Sequence, residues 1–206
     1  KRLLEYDDVM NSQREVIYKK RRHALLGERI GVDIANNMYD VCETLVEEHK
    51  DANDLESFRM DVLKYFAVDF DIKEEDFQKT SANNLTERLY KEVRDTFSRK
   101  TETIAKQAFP VIKNVFEQRG EMFKNIVVPF TDGKRAYNVV ANLEKTYKSE
   151  GEELIRAYEK SIMLAHIDDA WKEHLREMDD LKQSVQNATY EQKDPLLIYK
   201  FESFNL

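Results

Sequence analysis

Cysteine, glycine and proline are all scarce in this chain. Cys42 is the only cysteine in 206 residues, so neither an internal disulfide nor a cysteine-based zinc centre can form, and a reducing compartment is the natural setting. With 5 Gly and 3 Pro, few positions force a helix to break, which favours long helices over many short strands. No apolar run approaches the roughly 18 residues of a membrane-spanning helix, and no signal peptide opens the sequence. A net charge of -7 argues against a general nucleic-acid binder, which needs a concentrated positive surface. Chemistry-bearing motifs are missing too. There is no phosphate-cradling glycine-rich loop, no paired-histidine zinc motif and no nucleophile elbow. His23, His49, His166 and His174 are dispersed, and His166 and His174 fall about 80° apart around a helix, poorly placed to share a metal.

What is present is helical periodicity. Leu154, Tyr158, Ile162, Leu164, Ile167, Trp171, Leu175, Met178, Leu181 and Val185 recur in steps of three and four, which draws one stripe down an uninterrupted helix from Glu152 to Gln186. Acid-before-base pairs, Asp168 with Lys172 and Glu173 with Arg176, are placed to hold its exposed side. A polar loop, Asn187 to Asp194, follows with Tyr190 at its middle. Asp194 then reads as an N-cap and Pro195 as a first helical residue, opening a second helix with Leu197, Phe201 and Phe204 on one face. The pattern is that of a helical hairpin with an aromatic tip. Lys1 is not a methionine, and the helical pattern is still open at Leu206, so the sequence reads as part of a longer chain.

Upstream, a first helix is predicted from Leu3 to about Leu26, broken by the Gly27 to Gly31 region. Asp33 is expected to cap a helix from Ile34 to Lys50, and another runs from Asp54 to Ala67. Asp40 to Asp61 holds eight acids, read as a solvated face. Asp69 to Phe77 reads as a loop with a turn of helix. Leu85, Leu89, Val93, Phe97, Ile104 and Ala108 mark a long helix that Pro110 should end or kink. Ile126 to Phe130 and Arg135 to Val140, joined through Asp132-Gly133, form the one strong β-hairpin signal, with Pro129 confining its strand to an edge. Helical periodicity returns after about Ser149. The run Lys19, Lys20, Arg21, Arg22 and His23 reads first as a solvated face near a helix C-terminus, where cations suit the dipole. Contact with anionic lipid or an acidic partner is the second reading. The aspartate pairs Asp7-Asp8, Asp168-Asp169 and Asp179-Asp180 diverge around a helix, so ion pairing or capping suits them better than catalysis. His174 and Trp171 read as packing residues.

Two separated segments resemble one family closely. Leu3 to Val9 with Gln13-Arg14 and Ile17-Tyr18, and Asp169 to Leu175 through Met178-Asp179 to Tyr190-Glu191-Gln192-Lys193-Asp194-Pro195 and Tyr199 to Phe204, are similar to SecA, the bacterial ATPase that drives preproteins through the SecY channel. The resemblance implies a mainly α fold: residues 1–30 in a helical scaffold domain, 31–150 in a helical wing domain carrying an inserted β-hairpin near 125–140, and 151–206 returning to the scaffold. The long helix would be the first arm of the family's two-helix finger, its second arm truncated. Tyr190, Thr189, Gln192 and Lys193 would contact preprotein and channel, and Tyr6, Met10, Trp171, Leu175 and Met178 would pack the scaffold. The resemblance further implies ATP and magnesium for the parent protein but not for this region, partnership with the parent's nucleotide-binding domains, and a cytoplasmic location on the inner face of the plasma membrane. About 45 residues around the hairpin depart from the family's usual pattern, either as a decoration of the wing or as a partner-binding edge. From the residues alone, a helical adaptor unrelated to secretion is the alternative. An enzyme using the paired aspartates or His174 is a third reading.

Overall fold

The computed structural model describes residues 2–27, 29–131, 133–134, 136–187 and 194–206. The fold is mainly α, with α1 (Arg2–Leu26), α2 (Ile30–Ala52), α3 (Leu55–Phe66), α4 (Glu74–Lys79), α5 (Ala82–Arg119), β1 (Asn125–Thr131), β2 (Ala136–Asn142), α6 (Leu143–Lys148), α7 (Glu152–Asn187) and α8 (Pro195–Glu202). The chain divides into two compact units, Lys1–Glu28 with Glu159–Leu206, and Arg29–Tyr158.

The second unit has two apolar clusters, and each follows from spacing. In the first, Cys42, Leu45 and Val46 of α2 meet Phe58 and Val62 of α3, Phe77 of α4, and Leu85, Leu89 and Val93 of α5. Between α3 and α4 the chain is extended, so alternate residues Val68, Phe70 and Ile72 turn inward to the same core. Asp54 caps α3 by accepting from the Ser57 N–H at 3.0 Å, and Ser81 caps α5 by accepting from Asn84. Lys50 ties the end of α2 to α4 by donating to the carbonyls of Phe77 and Thr80.

The second cluster is built by the stretch around the hairpin. Ile112 of α5, Val139 and Ala141 of β2, Leu143 of α6 and Leu154 of α7 are its buried members. β1 and β2 pair antiparallel, Val127 opposite Val140 and Pro129 opposite Asn138. Their inner face, Ile126, Val128, Phe130 and Val139, closes on the helices, with Phe130 stacked on Tyr158 at 4.5 Å and Phe116 on Tyr147 at 4.3 Å. Gly151 is buried with φ +99, and its Cα lies where any Cβ would stand 2.9 Å from the Ala105 carbonyl oxygen. Only glycine fits that close approach of α5 to the turn before α7.

Four local readings are corrected. Helix α2 starts at Ile30, not Ile34: Arg29, in the left-handed conformation, stands at its N-cap, and Asp33 lies inside the first turn. Pro110 does not end α5, which continues to Arg119. Pro110 is exposed, so the hydrogen bond it cannot donate is lost on the solvent side, while Ile112, Val115 and Phe116 hold the next turns to the core. A short helix, α6, precedes Ser149; Asn142 caps it by accepting from the Lys145 N–H at 2.9 Å. Asp168 pairs with Arg21 rather than Lys172, which turns to Asp169 at 3.2 Å.

Candidate functional site: the long helix and its partners

Helix α7 is 36 residues long, about 54 Å at 1.5 Å per residue. Within the first unit it is met by α1 and α8. Met178 and Val185 of α7 and Tyr199 of α8 are buried together, with Tyr6, Val9 and Met10 of α1, Leu181 and Ile198 packed around them. The Tyr6 and Tyr199 rings lie 4.8 Å apart at 55°, and the Lys182 ammonium sits 5.8 Å from the Tyr6 ring centre. Burial, reinforced by the negative charges of Asp179 and Asp7, pushes the Tyr199 phenol above its ordinary pKa, so it stays neutral. Helix α8 is started by Asp194, whose carboxylate accepts from the Leu196 N–H at 3.1 Å, with Pro195 in the first turn.

Polar ties fix the register of these helices. Gln13 of α1 joins three elements: its Oε1 lies 2.9 Å from His174 Nε2, and its Nε2 donates to the Ser203 carbonyl at 2.9 Å. Since Gln13 Oε1 can only accept, His174 Nε2 carries the proton in this contact. The His174 ring is also stacked on Trp171, 5.4 Å away at 27°. Arg21 grips Asp168 with two hydrogen bonds, 2.7 and 3.2 Å. This hydrogen bonding holds the Asp168 carboxyl below its usual range; burial opposes it, and the charges of Arg21 and then Lys172 add to the lowering. Lys200 of α8 approaches Glu5 of α1 at 3.5 Å.

The structure thus brings Tyr6, Met10 and Met178 into one cluster. Trp171 and Leu175 are half-buried farther along α7, Trp171 against His174. Tyr190, Thr189, Gln192 and Lys193 lie outside the described residues. Of the basic run, Arg21 is engaged by Asp168, while Lys19, Lys20 and Arg22 are exposed. On α8 the packed face is Leu196, Tyr199 and Ser203, whereas Leu197, Phe201 and Phe204 are exposed. The connecting roles of Gln13, Arg21 and Tyr199 carry no signal in local spacing, because their partners lie far away in sequence.

The SecA Wing and Scaffold domain family matches residues 1–206. The chain belongs to that family. Among its relatives, the protein translocase subunit SecA of Flavobacterium psychrophilum is 54% identical over all 206 residues, which make up 18% of that protein. The same subunit of Porphyromonas gingivalis is 52% identical over the whole chain, 19% of its own length, and that of Bacteroides thetaiotaomicron is 54% identical, again 18%. The chain therefore spans under a fifth of these SecA proteins. The shared region takes in the hairpin, so that segment is not peculiar to this chain. No described helix is long and apolar enough to cross a membrane.

Proposed function

We propose that this chain is the scaffold-and-wing region of an ATP-driven preprotein translocation motor. The observation that carries the reading is the family match from the first residue to the last. Residues 1–30 and 151–206 act as scaffold and 31–150 as wing. Helix α7 and α8 serve as the arms on either side of a fingertip, and the long helix passes nucleotide-dependent motion from the parent's nucleotide-binding domains to the loop around Tyr190. There the ring, with Thr189, Gln192 and Lys193, touches preprotein at the SecY channel. A tyrosine suits that task because its ring makes apolar contacts with any passing side chain while its hydroxyl stays solvated.

In this reading ATP and magnesium belong to other parts of the parent, at the inner face of the plasma membrane; this region, whose sequence has no phosphate-cradling loop, passes on motion rather than nucleotide chemistry.

The test is a photo-crosslinking amino acid at position 190 of the full-length parent, with a stalled preprotein and reconstituted channel. Adducts with preprotein and channel are expected, and Tyr190→Ala should lower transport severalfold. Adducts with neither, or unchanged transport by Tyr190→Ala, refute the role given to this ring.

A further inference from the structure

The two-stranded sheet of the second unit has one blunted edge and one open edge. Leu143 N–H donates to the Lys124 carbonyl at 3.0 Å, and the register, which starts at Asn125 opposite Asn142, sets these two residues opposite each other when continued by one residue. A bond between directly opposite residues marks a hydrogen-bonded pair, and pair types alternate along an antiparallel ladder. Ile126 with Ala141, Val128 with Val139 and Phe130 with Tyr137 are therefore hydrogen-bonded pairs. Val127 with Val140, Pro129 with Asn138 and Thr131 with Ala136 are not, so the backbone groups of these six residues point away from the partner strand.

On β1 that outward row is interrupted at its centre by Pro129, which has no N–H to offer. On β2 the row is intact. Ala136, Asn138 and Val140 each present an N–H and a C=O, and no third strand pairs with them among the described residues. The row ends at Asn142, whose carbonyl accepts from the Thr146 hydroxyl and whose side chain caps α6.

The devices that normally protect such an edge are missing from β2, which contains no charge, proline or glycine. The outer face of the hairpin is also uncharged: Asn125, Val127, Pro129, Thr131, Ala136, Asn138 and Val140 are exposed there, in a chain with 35% charged residues. Val127 and Val140 stand side by side, 58% and 57% exposed.

From this we infer that β2 accepts an extended, uncharged segment of another polypeptide as a third strand. Unpaired backbone groups select a strand as the occupant, and the uncharged face selects its side chains, β-branched residues opposite Val140 and no carboxylate or ammonium beside it. A second copy of this chain fits less well. Five residues of edge span about 17 Å, far too little to bury the roughly 1,000 Å² that a stable dimer needs. A flexible peptide can instead dock through main-chain hydrogen bonds alone and leave again readily. The inference is independent of the fingertip reading.

The experiment titrates the 206-residue chain with an acetylated, amidated seven-residue peptide of alternating valine and threonine, followed by amide NMR shifts and hydrogen exchange. Shifts and slowed exchange are expected at Ala136, Asn138 and Val140. Asn138→Pro removes the central outward donor opposite Pro129 without touching a ladder bond, and should weaken binding about tenfold or more while Tyr137 and Val139 amides stay protected. Should that variant lose the hairpin, Val140→Lys decides: it should reverse the preference between this peptide and one with glutamate at alternate positions. Equal binding by a folded Asn138→Pro chain, or an unchanged preference in Val140→Lys, overturns the inference. So does protection of the three edge amides without peptide in a species that sediments as a dimer.

Discussion

Replacing Gln13 with alanine tests whether one amide holds three helices in register. Its two hydrogen bonds, each 2.9 Å, are of ordinary strength, and each contributes about 1 kcal/mol net. The loss is not symmetric, because Ser203 is only 2% exposed. Its carbonyl loses its one donor from another helix, so the partly desolvated oxygen adds to the cost. We expect Gln13→Ala to destabilise the junction of α1, α7 and α8 by about 2–3 kcal/mol. That is a factor on the order of 30 or more in local opening. Gln13→Glu should fall between: it keeps an acceptor for His174 but sets carboxylate oxygen against the Ser203 carbonyl. The assay is hydrogen exchange at the end of α8, where the Ser203 and Phe204 amides donate to Tyr199 and Phe201, together with a double-mutant cycle between Gln13→Ala and His174→Ala. The cycle should return a coupling of about 1 kcal/mol, since the Trp171 stack is lost in both His174 backgrounds and cancels. Exchange at α8 that changes less than about twofold, or strictly additive single variants, would refute the latch.

Two other perturbations probe the units separately. Asp168 has its carboxyl pKa depressed by Arg21, so its contribution is present above the ordinary aspartate pKa of about 3.9 and is lost as pH falls through the lower folded value. Urea midpoints of wild type and Asp168→Asn should therefore differ at pH 6 and converge in that acid range, and a gap that persists unchanged at pH 2 would contradict the assignment. Gly151→Ala should cost the second unit about 1–3 kcal/mol, read as a lower urea midpoint, because its Cβ meets backbone at 2.9 Å with φ +99; a neutral outcome would show that α5 yields easily there.

What could be read from the sequence was whatever depended on neighbours a few residues away. Helix α7 ends at Asn187, one residue past Gln186, because its stripe, its freedom from glycine and proline and its surface pairs are all local. The Arg176 contact with Glu173 at 2.7 Å belongs to that class. The hairpin was legible for the same reason, Gly133 taking a positive φ between two β-branched runs. Helix α6, at six residues, is too short for a 3.6-residue period to stand out. Its signal was the Asn142 cap alone. Of the tip residues, Tyr190 was legible as the ring in the middle of a polar loop, whereas Thr189, Gln192 and Lys193, and the contact role of all four, came only through family likeness. Asp168 illustrates the other limit, since helix spacing names Lys172 as partner while the fold delivers Arg21 from 147 residues away. On α8, the larger apolar set, Leu197, Phe201 and Phe204, proved to be the exposed one. Hydrophobicity alone cannot say which of its faces meets α1.

The two units reach order by different means. Among the described residues, the second relies on apolar burial, with one cluster joining α2, α3, α4 and α5 and another joining the hairpin to α5, α6 and α7. In the first, among the described residues, Met178, Val185 and Tyr199 are buried where α1, α7 and α8 meet, and Gln13, Arg21 and Glu5 reach across from α1 with directional contacts. Apolar contacts supply energy but tolerate sliding by a turn, since one methyl group replaces another. Directional groups do not, because a carbonyl displaced by one residue loses its donor outright. An arrangement of long helices that depends on a few directional ties can change between discrete registers when those ties exchange partners, without dismantling a large core. That property suits helices whose proposed task is to move a loop.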